Sequence, residues 1–357
     1  MAGEGESQRE ESRFPAALPV TFYVAEPADL TRVSRLDPDR DQALLRSGEL
    51  AWVVQTYLRL RAAGYPVELA ASPPRSGLVV FHAKHGPALT RALTRAQSGR
   101  RDLRFVGIRA DNSPPLLADF EILQNGRFAD DRRRFWIPHW PQPGLIARDA
   151  ERGNRVERVT YMGWIENLHA GFRSSAWRAA LAGLGIEWVL QEVPFPRGGG
   201  VERSAQAPVD FEDYSRFDAL LAVRPGGFRR SLSKPVSKLV NAWRAGLPAL
   251  LGPEYACREV RRSDDDYFEI AGPEEALAAL RRLRAEPLLY ARMVENGRNR
   301  AAEFSFAALT ERWADLLLRS IPSQVASGGL PWSHRLPLPL RLSIRRFLRA
   351  LRREGVR

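Results

Sequence analysis

Apolar positions along this chain form two alternating kinds of run. VTFYVA over 20–25 is short, continuous and rich in β-type residues, and predicts a strand. ELAWVVQTYLRLRAAG over 49–64 has apolar residues at helical spacing and stops at Gly64, which predicts an amphipathic helix. Strands over 65–72 and 76–83 follow, then a helix over 86–97, a strand over 103–112 and a helix over 114–126 opened by two prolines. IARDAERGNR (146–155) is charged and turn-rich and interrupts the pattern as a linker.

The alternation restarts after it. Strands are predicted over 158–165 and 186–193 with a helix over 174–185 between them, and a loop, PFPRGGGVERSAQAP, over 194–208. DYSRFDALLAVRP then holds a strand, PVSKLVNAWRAG a helix, LPALLG a strand and ACREVRR a short helix. DYFEIA reads as a strand, and 273–304 and 306–319 as helices. Strands alternating with helices in both halves predict two Rossmann-like parallel-sheet α/β domains. Their expected bounds are a disordered start over 1–14, a first domain over 15–145, the linker 146–155, a second domain over 156–322 and a basic tail over 323–357. In such sheets ligands bind beyond the carboxyl ends of the strands, so two domains facing each other would place a site in the cleft between them.

A length of 357 residues agrees with two cores rather than one. The net charge of +12 is unevenly spread: residues 331–357 hold eight Arg and one Glu, and residues 1–13 hold four Glu and two Arg. The rest is mildly basic, and with no RNA- or DNA-binding motif a nucleic-acid partner is not expected. One cysteine, Cys257, excludes an internal disulfide and a Cys-based zinc site. MAGEGESQREESR lacks the apolar segment of a secretory signal, and no apolar run approaches the roughly 18 residues of a spanning helix. A cytoplasmic protein, with no metal and no cofactor, is the expectation.

Cation usage singles out one place. Of 54 Lys+Arg only three are lysines, Lys84, Lys234 and Lys238, and two of them flank the start of the helix predicted at Pro235. The positive end of a helix dipole disfavours lysine, unless an anion lies in the gap. Arg224, at the end of the preceding strand, together with Lys234, Ser237 and Lys238, could then converge on a diphosphate. The alternative is that both lysines are solvated surface charges.

KLVNAWRAGLPAL resembles the donor-binding helix of GT-B glycosyltransferases, where a pattern like K-L-x-E-A-x-A-x-G-x-P-V leads into a strand; the matching positions are Lys238, Leu239, Ala242, Gly246 and Pro248. YMGWIENL, opening the second half, and the helical run after 273 extend the resemblance over roughly 155–320, whereas 20–145 agrees only in architecture. The resemblance implies a first domain for the acceptor and a second for a nucleotide-sugar donor, with transfer that uses basic residues and a helix N-terminus in place of a metal. The large retaining branch has Glu where this chain has Asn241 and Ser233, so the resemblance does not imply its retaining mechanism; Glu254, acidic and past the next strand, could take the ribose hydroxyls instead. If the anomeric centre inverts, a base must accept the acceptor's proton. FHAKH (81–85), with His82, His85 and Lys84, and Asp111 both follow strands of the first half, and His82 and Asp111 are the candidates. The expected partners are a nucleotide-sugar and a glycan or lipid-linked acceptor of the cell envelope. Two other readings share the architecture: a degenerate GT-B protein that binds without turnover, and a sugar-nucleotide epimerase.

In the tail, PLPLRLSIRRFLRALRR (337–353) puts Leu340, Ile344, Phe347, Leu348 and Leu351 at helical spacing among arginines. Such a helix suits an anionic membrane surface, placing the protein peripherally at the inner face of the membrane. Burial of its apolar face against the first domain is the alternative.

Overall fold

The computed structural model describes residues 18–45, 48–95, 102–110, 112–192, 211–226, 232–328 and 336–354. β1 (Val20–Tyr23) leads to α1 (Pro27–Val33), then a π-helical turn at Leu50–Val54 runs into α2 (Gln55–Ala62). β2 (Val67–Ala70), β3 (Gly77–His82), α3 (Gly86–Arg95) and β4 (Leu103–Ile108) follow as the apolar pattern predicts.

The segment 114–126 departs from its predicted helix and contains β5 (Phe120–Leu123). Asp119 supplies the reason. Its backbone N–H donates to the Phe105 carbonyl at 2.7 Å, and its carboxylate accepts from the Phe105 N–H at 3.0 Å, so the chain is stitched along β4 where a helix would turn away. A second short strand, β6 (Arg134–Trp136), lies between an arginine run and a proline-rich stretch and carries no clear pattern of its own.

The second half contributes β7 (Arg158–Gly163), α4 (Ser175–Gly183), β8 (Glu187–Glu192), β9 (Ala219–Ala222), α5 (Ser237–Ala245), β10 (Ala249–Leu251), α6 (Tyr255–Val260) and β11 (Phe268–Glu269). The run 273–304 divides into α7 (Pro273–Ala285) and α8 (Pro287–Ala301), each with a proline in its first turn, where the missing N–H is an orphan in any case. α9 (Phe306–Asp315), α10 (Ile321–Ala326) and α11 (Leu338–Glu354) end the described chain. The glycine-rich loop 198–200 lies outside the described residues.

Among the described residues the strands form two sheets, ordered β2-β1-β3-β4-β5-β6 and β11-β10-β9-β7-β8. Pairings β1–β2, β1–β3, β3–β4 and β4–β5 in the first, and β7–β8, β7–β9, β9–β10 and β10–β11 in the second, are parallel. The chain divides into two compact units: residues 1–35, 56–122 and 310–357, and residues 36–55 and 123–309. In each sheet the first strand has its two successors on opposite sides, which puts a topological switch at β1/β3 and at β7/β9.

Within the second unit, Val159, Leu220, Leu239, Trp243 and Leu250 share one buried cluster. The charged segment 146–155 is tied to this unit through Asp218, a fully buried carboxylate that accepts from Arg148 and Arg152 and from the N–H groups of Glu157 and Arg158. Burial alone would raise that carboxyl; the hydrogen bonds from Arg152, from the two amides and from Arg148 outweigh it and hold it below the usual range.

In the first unit α11 packs beside β3, β4 and α3, with Leu342 in a cluster containing Val79, Leu89 and Phe105. Arg345 donates to the carbonyls of Leu116, Leu117 and Ala118 at 2.9–3.0 Å and to the Asp119 carboxylate at 2.7 Å.

Candidate functional site

The second sheet's switch point gathers charged side chains around a cavity. β7 ends at Gly163 and β9 at Ala222, and beyond these ends α5 begins, so side chains from three elements meet outside the carboxyl edge. They line a cavity of about 270 Å³ whose walls include Tyr161, Gly163, Arg224, Ser237, Lys238 and Asn241.

Lys238, in the first turn of α5, is partly buried and turns its ammonium inward. The ammonium donates to the Met162 carbonyl and stands 4.9 Å from the centre of the Tyr161 ring, a cation–π contact. Gly163 makes this approach possible: it adopts φ +150°, and a Cβ there would sit 3.2 Å from the Lys238 nitrogen and 2.9 Å from the Tyr161 hydroxyl. Burial, and after it the charge of Arg224, push the ammonium down to about 7, against a smaller opposing effect of Glu254. Burial likewise pushes the Tyr161 phenol up to about 12.

Arg224 lies two residues past β9 and donates from Nε to the Glu254 carboxylate at 2.9 Å. Glu254 is the residue before α6 and is buried; burial raises its carboxyl, against Arg224, Lys238 and Lys234. No side chain caps the start of α5, and Ser237 and Lys238 of its first turn line the cavity. The loop before α5 is held by two amides: Asn125 Nδ2 donates to the carbonyls of Leu232 (2.9 Å) and Lys234 (3.1 Å), and Gln124 Nε2 donates to that of Ser233.

Arg224, Ser237, Lys238, Asn241 and Glu254, singled out in the sequence, are thus brought together, with Lys234 near enough to act on Glu254. Asn241 is engaged: its Oδ1 accepts from the Gln142 N–H at 3.1 Å, and its side chain bonds the Tyr214 hydroxyl. Gly246 stands apart. It ends α5 in the left-handed conformation, φ +72°, about 13 Å along the helix from Ser237. Tyr161, the Met162 carbonyl, Gln124 and Asn125 were not anticipated; the glycine in TYMGW, closing a strand, was the available sign.

In the first unit, His82 ends β3 at the switch point, 1% exposed, with Nδ1 accepting from the Lys84 N–H. Its ring lies 6.2 Å from that of His85. Asp111 lies outside the described residues.

Two α/β units on parallel sheets, each with a switch-point edge, match known structures. Sucrose-phosphate synthase from Thermosynechococcus elongatus aligns over 84% of this chain and 98% of its own, at 13% identity and a TM-score of 0.52. The fold is GT-B. Anabaena HepE, in a structure containing UDP and glucose, aligns over 84% of this chain and 99% of its own at 12% identity, with a TM-score of 0.48. No family model matches the sequence, and no curated protein does. In the GT-B frame, α5 is the helix whose sequence suggested the resemblance.

Proposed function

We propose that this protein is a glycosyltransferase that takes a sugar from a nucleotide-sugar, with the donor's diphosphate in the second-unit cavity. The observation that carries the reading is Lys238: among the described residues its buried ammonium makes no ion pair, and it lies beside Arg224 at an uncapped helix start. Leaving-group stabilisation in sugar transfer needs such an arrangement, since negative charge develops on the departing diphosphate. Arg224, Lys238, Ser237 and the α5 amides would hold that charge without a metal. Glu254 keeps Arg224 oriented and is the acid proposed to take the ribose hydroxyls. His82 and Asp111 are the residues proposed to serve the acceptor, taken to be a glycan or lipid-linked group at the inner face of the membrane.

A second reading is binding without turnover. Asn241 favours it, because the position occupied by a carboxylate in the retaining branch here serves Gln142 and Tyr214. Calorimetric titration with UDP, GDP, dTDP and ADP, beside Lys238→Ala, tests both. One nucleotide should bind saturably and about tenfold or more weaker to the variant, a loss near 1.4 kcal/mol. Absence of binding by all four would remove the donor-site reading, and binding of the matching nucleotide-sugar without any release of nucleotide would favour the non-catalytic one.

A further inference from the structure

α11 is docked inside out. Its inner face carries Arg341 and Arg345, side chains 7% and 15% exposed, with Leu342 between them. Arg341 lies 3.9 Å from Asp119 and over the Phe105 ring, and Arg345 holds Asp119 and three carbonyls. Leu340, Ile344, Phe347 and Leu348, at i, i+4, i+7 and i+8, form a stripe on the other side; Leu340 is 50%, Phe347 63% and Leu348 49% exposed. Packing on the first unit therefore accounts for Arg341 and Arg345, with Leu338 and Leu342 beside them, and leaves a second apolar stripe outside, which an ordinary surface helix does not show.

We propose that this outer face is an interfacial membrane-binding surface that inserts Leu340, Ile344, Phe347 and Leu348 at the headgroup boundary of an anionic bilayer. Charge selects the occupant. α11 holds six arginines and one glutamate, Arg346 is exposed, and the solvent side of neighbouring α3 shows Arg91 and Arg95. A second copy on the stripe would bring like charges together, whereas acidic headgroups would be attracted. At 17 residues α11 is about 25 Å long, and no helix among the described residues is long and apolar enough to cross a membrane, so the helix lies in the plane of the surface. The docked arginines fix the orientation before contact, so the stripe meets the membrane already formed.

The test is co-sedimentation of the full chain with vesicles of phosphatidylcholine alone or with about one third phosphatidylserine. Anionic vesicles should bind about tenfold more tightly, less so as salt rises, and Leu340→Ser/Phe347→Ser/Leu348→Ser should lose about tenfold. These residues are exposed, and an unchanged melting profile checks that the variant is folded. Because the native cysteine, Cys257, is buried, an environment-sensitive dye on Phe347→Cys reports insertion directly, and its emission should shift to the blue on adding anionic vesicles. No binding at low salt, equal binding by the triple variant, an unshifted dye, or a wild-type dimer that the triple variant abolishes would each overturn the proposal. Nucleotide titration of the triple variant should match wild type, which separates this surface from the donor site.

Discussion

α5 and α11 both carry cations into the protein, and they differ in what receives them. On α11, Arg341 and Arg345 meet a fully buried carboxylate and a row of carbonyls, so the protein supplies the counter-charge itself. At the start of α5, Lys238 meets one carbonyl and one ring, while the neighbouring carboxylate, Glu254, is spent on Arg224. Two cations and one acid leave a positive remainder beside a cavity. A buried cation with its own anion is part of the fold; one whose burial drives its ammonium toward neutrality is in a place that an arriving anion would improve.

The sharpest way to break this contrast is Arg345→Met. It removes the 2.7 Å partner of the buried Asp119 carboxylate, which keeps Arg341 at 3.9 Å and the Phe105 amide. Removing one member of a buried pair costs about 3–5 kcal/mol, and urea denaturation should show a loss in that range with nucleotide affinity unchanged. A loss under about 1 kcal/mol would mean that α11 is held by its leucines alone and that its arginines are incidental.

The same contrast explains what the sequence could tell. Strand and helix alternation was legible because each sheet is parallel and buried, so its strands read as short apolar runs between amphipathic helices. The donor helix was legible from two of three lysines in a chain that otherwise uses arginine. Failures came where tertiary partners decide. Segment 114–126 has a helical composition, and one aspartate bonded to Phe105 makes it a strand. The tail's apolar spacing was visible, but its outward direction depends on Asp119, more than 200 residues away in sequence. Tyr161 and Asn125 reach the site by strand pairing and by side-chain bonds to distant carbonyls, and no local spacing announces either.

The contrast sharpens with pH. In the ligand-free protein Lys238 loses its proton near 7, whereas beside a bound diphosphate it should keep it. Binding above that value must then take up a proton, so affinity should hold steady just below pH 7 and fall as pH rises, by up to about tenfold per unit. Calorimetry in buffers of different ionisation heat counts the protons. Stability without ligand runs the other way. With the folded value depressed below the ordinary 10.5, the unfolded chain binds more protons between about 7 and that value, so Lys238 destabilises the fold fully below 7 and less as pH rises. Lys238→Met should flatten both dependences, and a wild-type affinity that does not change from pH 7 to 9 would show that the ammonium does not contact the ligand.

The smallest expected effect tests the far end of α5. Gly246 matches the GT-B pattern as well as Lys238 does, yet it caps the helix with φ +72°, where its N–H donates to the Trp243 carbonyl and a Cβ would find contacts no nearer than 3.6 Å. Space therefore does not demand glycine there; the backbone conformation does. Gly246→Ala should cost about 1–2 kcal/mol through left-handed strain, read as a lower urea midpoint with an unchanged slope. Nucleotide affinity should stay within about twofold, because Ser237 and Lys238 lie about 13 Å away at the other end. If affinity fell as far as it does for Lys238→Ala, the pattern's glycine would belong to the ligand rather than to the cap, and a sequence match would have outranked the geometry.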